Sequence, residues 1–326
     1  VNIVTELTTY PFKSAQGISA DSFGVSESGF PLDRHYALLN GEGRKVTQRQ
    51  VPGLAKIATR LEYDEAIGDY RLLADLPEVA DSLTLDQLEP VDTLTAKFGD
   101  KSKMREFKVD ILDYYGGDNP TRLFRHFIQV HNPEYRGIHD TYLARIRPDS
   151  PQTSPSFGSA TAMSDKAPLL MTFQNSLDAF NEETGLDIPM NRFRPNIVAD
   201  SIRGPREDME MGPFSEFSVS HFRIGAMMFR NAGPCARCPV PSIDQDTGAK
   251  TQDAVTRKLS GLASEDYRYN LGNVVGVDRR NKSQGGYFGV NLVPVPELSM
   301  AGKQKVSVGN MVMVAGDLPS LSEEYL

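Results

Sequence analysis

The chain of 326 residues has 39% apolar and 24% charged side chains. That balance suits a soluble globular protein with enough length for two cores or one large one, and it excludes disorder along the whole chain. The formal charge is −8, and the basic residues are scattered singly rather than gathered into a run that could track phosphates, which argues against a nucleic-acid partner. Val1-Asn2-Ile3-Val4-Thr5-Glu6 has no charged leader followed by an apolar stretch, and no segment approaches the ~20 apolar residues of a membrane helix. The expectation is a cytoplasmic protein with no membrane partner.

In chain order, alternation over Ile3 to Leu7 predicts a first strand. Tyr36-Ala37-Leu38-Leu39 reads as a second, followed by a turn at Asn40-Gly41-Glu42-Gly43, and Leu54 to Leu61 reads as a third. A helix is predicted over Pro120 to Val130, where Leu123, Phe124, Phe127 and Ile128 recur at helical spacing behind an Asp118-Asn119-Pro120 start. From Arg147 to Asp165 the chain is rich in Pro, Ser and Thr and loses any period, which marks a boundary. A short helix follows over Ser176 to Thr184, with Asn175 or Ser176 as cap and Gly185 as terminator. Beyond it Phe222 to Ile224, Met227 to Arg230, Phe288 to Leu292 and Lys305 to Val308 read as strands. Many short strands with few helices predict a β-rich, barrel-like fold.

Only two cysteines occur, Cys235 and Cys238, too few and too close for a disulfide scaffold. They sit in Pro234-Cys235-Ala236-Arg237-Cys238-Pro239 with Pro241 just beyond. A thioredoxin-type dithiol opens a helix, which the prolines oppose, so a loop is expected. Structural zinc asks for about four N or S ligands, and no histidine stands at zinc-finger spacing from the pair. Two cysteines that merely pack beside a strand remain open as an alternative. Arg192-Phe193-Arg194-Pro195-Asn196 offers guanidinium forks and an amide able to hold a phosphate, or simply a salt-bridged loop. Lys13 and Ser14 in Tyr10-Pro11-Phe12-Lys13-Ser14, with Asp33-Arg34, are a third group; alone, they fit ordinary surface charges.

Taken together, these stretches resemble the MOSC superfamily, specifically the two-part proteins with a β-barrel domain ahead of the MOSC domain. Thr47-Gln48-Arg49-Gln50, Ile224-Gly225, Asp246-Thr247-Gly248 and Phe288-Gly289 extend the resemblance over most of the chain. It implies a β-rich α+β fold: an N-terminal β-barrel-like domain over 1–110, a helical connecting region over 111–150, a MOSC β-barrel with a few short helices over 151–318, and a tail over 319–326. It also implies a molybdenum cofactor, molybdopterin, with Cys238 as metal ligand and catalytic residue, and Cys235 outside the metal's coordination. Lys13, Ser14, Arg34, Arg194, Asn196, Ala236, Arg237 and Cys238 are the implied cofactor-binding positions. The family loop usually reads Cys-Ser-Arg-Cys with a following Thr-Thr pair, where this chain has Ala236 and then Pro241-Ser242, so Ala236 can contribute only its backbone.

The activity implied is molybdenum-dependent reduction of small N-hydroxylated compounds. The alternative is a non-catalytic cofactor or sulfur carrier module, and a dithiol oxidoreductase comes third. A soft thiolate suits such a metal. No cysteine follows Cys238 to hold an iron-sulfur cluster, so the expectation is a separate electron donor of the iron-sulfur, flavin or b-type cytochrome kind, or an iron-sulfur domain that this sequence does not include.

Overall fold

The computed structural model describes residues 2–98, 105–113, 119–147, 161–201, 211–251, 254–272, 286–300 and 304–315. Its organising element is a closed barrel of seven strands. Around the barrel run Ile197–Ser201, Leu169–Phe173, Tyr287–Pro294, Met227–Ala236, His221–Ile224, Met311–Ala315 and Asn2–Thr9, and the last pairs back onto the first.

Closure therefore depends on the start of the chain. Asn2 faces Ser201 and Leu7 faces Ile197 in antiparallel register, with a bulge between Val4 and Glu6, while Asn2 and Ile3 also pair with Val312 and Met311. Val4 and Leu7 accordingly lie in the same core as Phe173, Phe180, Phe193, Phe222 and Phe288. Phe193 and Phe288 stack with ring centroids 3.9 Å apart in its centre.

Leaving the barrel at Thr9, the chain enters a second, five-stranded antiparallel sheet ordered Lys45–Val46, Tyr36–Asn40, Thr141–Ile146, Arg105–Asp113 and Glu89–Phe98. The expected strand and turn at Tyr36 to Gly43 are present, and the turn curls the sheet into a barrel-like form. Gly43 brings Arg44 into a bridge with Lys97, and Lys97 N donates to the Gly43 carbonyl at 2.8 Å. Stretch 111–150 begins inside the strand Arg105–Asp113 and also holds the strand Thr141–Ile146. Between them lies the helix Pro120–His131, capped by Asn119, whose side chain accepts from Arg122 N. Its Phe124, Phe127 and Ile128 bury against Phe12, Leu38 and Leu143, with Phe12 and Phe124 stacked at 5.1 Å. Asp118, most of the boundary segment (148–160) and the tail 319–326 lie outside the described residues.

Two local expectations shift. Leu54 to Leu61 is not one strand: Pro52–Lys56 is a 3-10 turn, and the strand Ala58–Asp64 follows it. Pro52 favours the turn, and Gly53 donates to Asn132 Oδ1 at 2.9 Å in a space too small for a side chain. The second helix, Gln174–Thr184, starts straight out of the strand Leu169–Phe173, and neither Asn175 nor Ser176 caps it. Instead Asn175 reaches the Met211 carbonyl at 2.6 Å, and Ser176 Oγ donates to the buried Glu216 carboxyl group. Gly185 ends the helix at φ 64°, as expected. Among the described residues no helix is long and apolar enough to cross a membrane.

Gly43 has φ 76°, and a Cβ there would lie 1.9 Å from the Thr95 carbonyl oxygen. Gly43→Ala should therefore cost about 2–4 kcal/mol, through both backbone strain and the clash. Urea unfolding checks this; a loss under about 0.5 kcal/mol would mean that the turn does not close the sheet.

Candidate functional site

Where the first strand ends, Tyr10 to Ser14 cross from the barrel to the second sheet, and the expected cofactor-binding residues collect along this seam. Three of them, Ser14, Arg34 and Arg194, have left-handed backbones with φ of 76°, 54° and 54°. Non-glycine residues in that region carry strain that surrounding contacts must hold, and such strain clusters at functional sites.

Two guanidiniums share one ring: Arg194 lies 4.3 Å and Arg34 5.2 Å from the Tyr10 centroid. Burial pushes the Tyr10 hydroxyl up to about 12 despite both cations, so Tyr10 stays neutral. Arg34 also pairs with buried Asp33, and although burial opposes its charge, that carboxylate holds its pKa above the ordinary value. Asp33 in turn accepts from Tyr10 N at 2.9 Å and from Asn196 Nδ2 at 3.0 Å.

Arg194 is placed differently. Its Nη1 donates to Gln245 Oε1 at 3.1 Å, and among the described residues no carboxylate lies within ion-pair distance of it. Burial, with Arg34 and Arg237 nearby, lowers its pKa to about 10, only partly offset by Tyr10 and Asp33, so it remains a buried cation at neutral pH. Arg237 likewise has no carboxylate partner among the described residues. Its Nη2 donates to the Phe193 carbonyl at 2.7 Å, its Nη1 to Cys235 Sγ at 3.2 Å, and its buried Nε has no partner.

Lys13, 7% exposed, donates to the Met163 carbonyl at 3.0 Å and to Asp165 at 3.2 Å. Burial lowers its pKa to about 7, and Lys45 and Arg34 add to the fall against the pull of Asp165. Asp165 sits between Lys13 and Lys45; burial would raise its pKa, but the two ammonium groups hold it far below the carboxylate range.

Asn196 is buried with its amide saturated: Nδ2 donates to the Thr8 carbonyl and to Asp33, each at 3.0 Å, and Oδ1 accepts from Leu170 N at 3.1 Å. It holds the seam together and offers no free side-chain donor. Ser14 Oγ accepts from Gln48 N at 3.3 Å. Ala236 ends the strand Met227–Ala236, so the expected loop begins only at Arg237, whose N donates to the Gly286 carbonyl at 3.0 Å. Cys235 is therefore a strand residue, and Cys238, beyond the strand, is exposed. Cys238 joins the cation group through its neighbour Arg237.

A metal-binding pterin fits this arrangement. An orphaned guanidinium nitrogen and two half-buried arginines without carboxylates among the described residues suit an anionic phosphate, and one exposed thiol suits a soft metal. No three His, Cys, Asp or Glu side chains gather to hold an ion among the described residues, so further ligands would come with the cofactor. Reading the sequence missed the parts played by Tyr10, Asp33, Gln48, Asp165 and Gln245. Three of these five lie within the resembling stretches, but Asp165 and Gln245 reach the site only through contacts over more than 50 residues.

Residues 1–120 match the MOSC N-terminal beta barrel domain and residues 159–313 the MOSC domain. The chain belongs to the MOSC family and carries both parts. It is 24% identical over 284 residues to mitochondrial amidoxime-reducing component 1 of Danio rerio, covering 85% of this chain and 79% of that one. The human protein of that name is 26% identical, covering 77% and 69%. A molybdenum cofactor sulfurase of Oryza sativa subsp. japonica is 27% identical over 82% of this chain, which spans only 31% of that relative's length.

The Lys13 shift has a consequence for stability. Between pH about 7 and the ordinary lysine value near 10.4, the unfolded chain holds a proton that the folded chain has released. Stability through this group is thus lowest below pH about 7 and recovers as pH rises. Lys13→Met removes the titration, so from pH 7 to 9 the variant should lose ground to the unaltered chain by up to about 1.4 kcal/mol per pH unit. Urea unfolding of both chains across that range measures it; a pH-independent difference would mean that Lys13 is not depressed.

Proposed function

We propose that the chain is a molybdenum-cofactor-dependent reductase of small N-hydroxylated compounds such as hydroxylamines, amidoximes or N-hydroxylated bases. The observation that carries this reading is the pair of half-buried guanidiniums, Arg194 and Arg237, with no carboxylate partner among the described residues, leading by one peptide bond to the exposed Cys238. The relatives named amidoxime-reducing component, matched over most of their own length, support it.

In this reading Arg194, Arg237, Arg34 and Lys13 hold the cofactor's terminal phosphate, strengthened by the low dielectric of the seam. Ser14 and the Ala236 backbone complete the contact, and Asn196 acts by fixing Thr8, Asp33 and Leu170 around it. The Cys238 thiolate ligates the metal, and the bond from Arg237 N to the Gly286 carbonyl sets the direction in which the chain leaves the strand. Cys235 accepts from Arg237 and stays off the metal. The cofactor supplies the two-electron oxygen-atom chemistry and the remaining metal ligands. A separate electron-donor protein restores the reduced state.

The match to sulfurases favours one rival, a module that carries cofactor or sulfur without reducing anything. Metal analysis of the chain and of Cys238→Ser, both made in a host that synthesises the cofactor, separates the readings. The reductase reading expects near-stoichiometric molybdenum and reduction of an amidoxime by a chemical electron donor, both lost in the variant. Molybdenum with no reduction would favour the carrier, and molybdenum retained in full by Cys238→Ser would remove Cys238 as ligand.

A further inference from the structure

Arg192 and Arg194 stand two residues apart, one in and one just after the 3-10 turn Met190–Phe193, and each takes a partner from the same loop. Arg192 Nη2 donates to Asp244 Oδ2 at 3.0 Å, and Arg194 Nη1 donates to Gln245 Oε1 at 3.1 Å. Consecutive residues thus give one guanidinium a carboxylate and the other an uncharged amide of nearly the shape of glutamate.

That amide is held on all sides. Gln245 Oε1 also accepts from Gln48 Nε2 at 2.9 Å, while Gln245 Nε2 donates to Gln48 Oε1 at 3.2 Å and to the Ile243 carbonyl at 3.0 Å. Gln48 Nε2 in addition donates to the Ser14 carbonyl at 2.8 Å. Both side chains are buried, so each polar atom needs the partner it has. The reciprocal pair ties the turn after the strand Lys45–Val46 to the loop after the cysteines.

We infer that Gln245, clasped by Gln48, is a positioning residue that orients Arg194 without neutralising it, and so makes the seam select a phosphate-bearing ligand. The inference rests on the cofactor-binding reading above. A carboxylate at 245 would satisfy Arg194 internally and repel an incoming anion, whereas an amide fixes the guanidinium and leaves its charge available. Among the described residues the Gln245 side chain bonds to Arg194, to Gln48 and to the neighbouring Ile243 carbonyl, so its effect reaches the ligand through Arg194.

Binding of inorganic phosphate to the cofactor-free full chain, followed by calorimetry against chloride at matched ionic strength, tests this with three variants. Gln245→Glu adds charge at nearly constant shape, and Gln245→Met removes the amide without adding charge. The expected result is phosphate binding weakened about tenfold or more by Glu and about threefold or less by Met. Equal weakening by both variants, or none by Glu, would overturn the inference, because the clasp would then be only structural or irrelevant. Should Gln245→Glu fail to fold, Gln48→Glu puts the same charge on the other half of the clasp; unchanged affinity there overturns the inference as well. No phosphate binding by the unaltered chain also overturns it, whether or not molybdenum is retained. Phosphate binding that obeys the expectation in a chain that never retains molybdenum would leave the clasp standing and defeat the reductase reading instead.

Discussion

The side-chain amide of Asn196 is the contact on which both the barrel and the site depend. Its two ends reach the first strand at Thr8, the 30s loop at Asp33 and the barrel strand Leu169–Phe173 at Leu170, all through bonds of 3.0 to 3.1 Å. Asn196 N and O continue the link, to the Leu170 carbonyl and from Thr8 N. An amide offers two donors and an acceptor together, whereas an ionised carboxylate has no donor and a hydroxyl only one. Removing it would leave a buried carboxylate oxygen and a backbone amide short of partners at once, the costly side of the hydrogen-bond asymmetry.

Around that anchor the backbone is bent where the cations are needed. Arg34 N donates to the Tyr10 carbonyl at 2.7 Å and its own carbonyl accepts from Met163 N at 3.0 Å, while Arg194 N donates to the Asn191 carbonyl at 3.0 Å. These bonds fix two left-handed arginines toward one tyrosine ring. The strain at each is of order 1–3 kcal/mol, which the seam's hydrogen bonds must offset. Such an arrangement would be hard to explain if the two side chains were merely solvated surface charges.

How far the sequence disclosed this differs between fold and site. The strands at Tyr36, Phe222, Met227 and Phe288 and the helix after Asn119 follow from local periodicity and capping, and the structure has them. Closure of the barrel by Asn2–Thr9 is not local: its partners are about 190 and 300 residues away, and alternation alone names no partner. The same limit explains the site. Arg194, Arg237 and Cys238 announce themselves by residue type and short spacing, whereas Gln48 and Gln245 are unremarkable until they meet across 197 residues. Ser176 is no helix cap because the helix already begins at Gln174, and its hydroxyl accepts from Phe214 N at 2.8 Å while donating to the buried Glu216 carboxyl group, partners invisible to local reasoning.

Charge at two scales then becomes consistent. A chain of formal charge −8 discourages polyanions from settling on its surface at long range. Inside the seam, within a Debye length and partly screened from solvent, the local sign is reversed, since among the described residues Arg194 and Arg237 have no carboxylate partner while Arg34 and Lys13 share Asp33 and Asp165 with other groups. In the proposed reading a small ligand with one or two charges would meet this local positive potential, whereas a long polyanion would meet the acidic exterior first. The selectivity proposed for the seam would come less from the number of cations than from which of them the protein declines to neutralise.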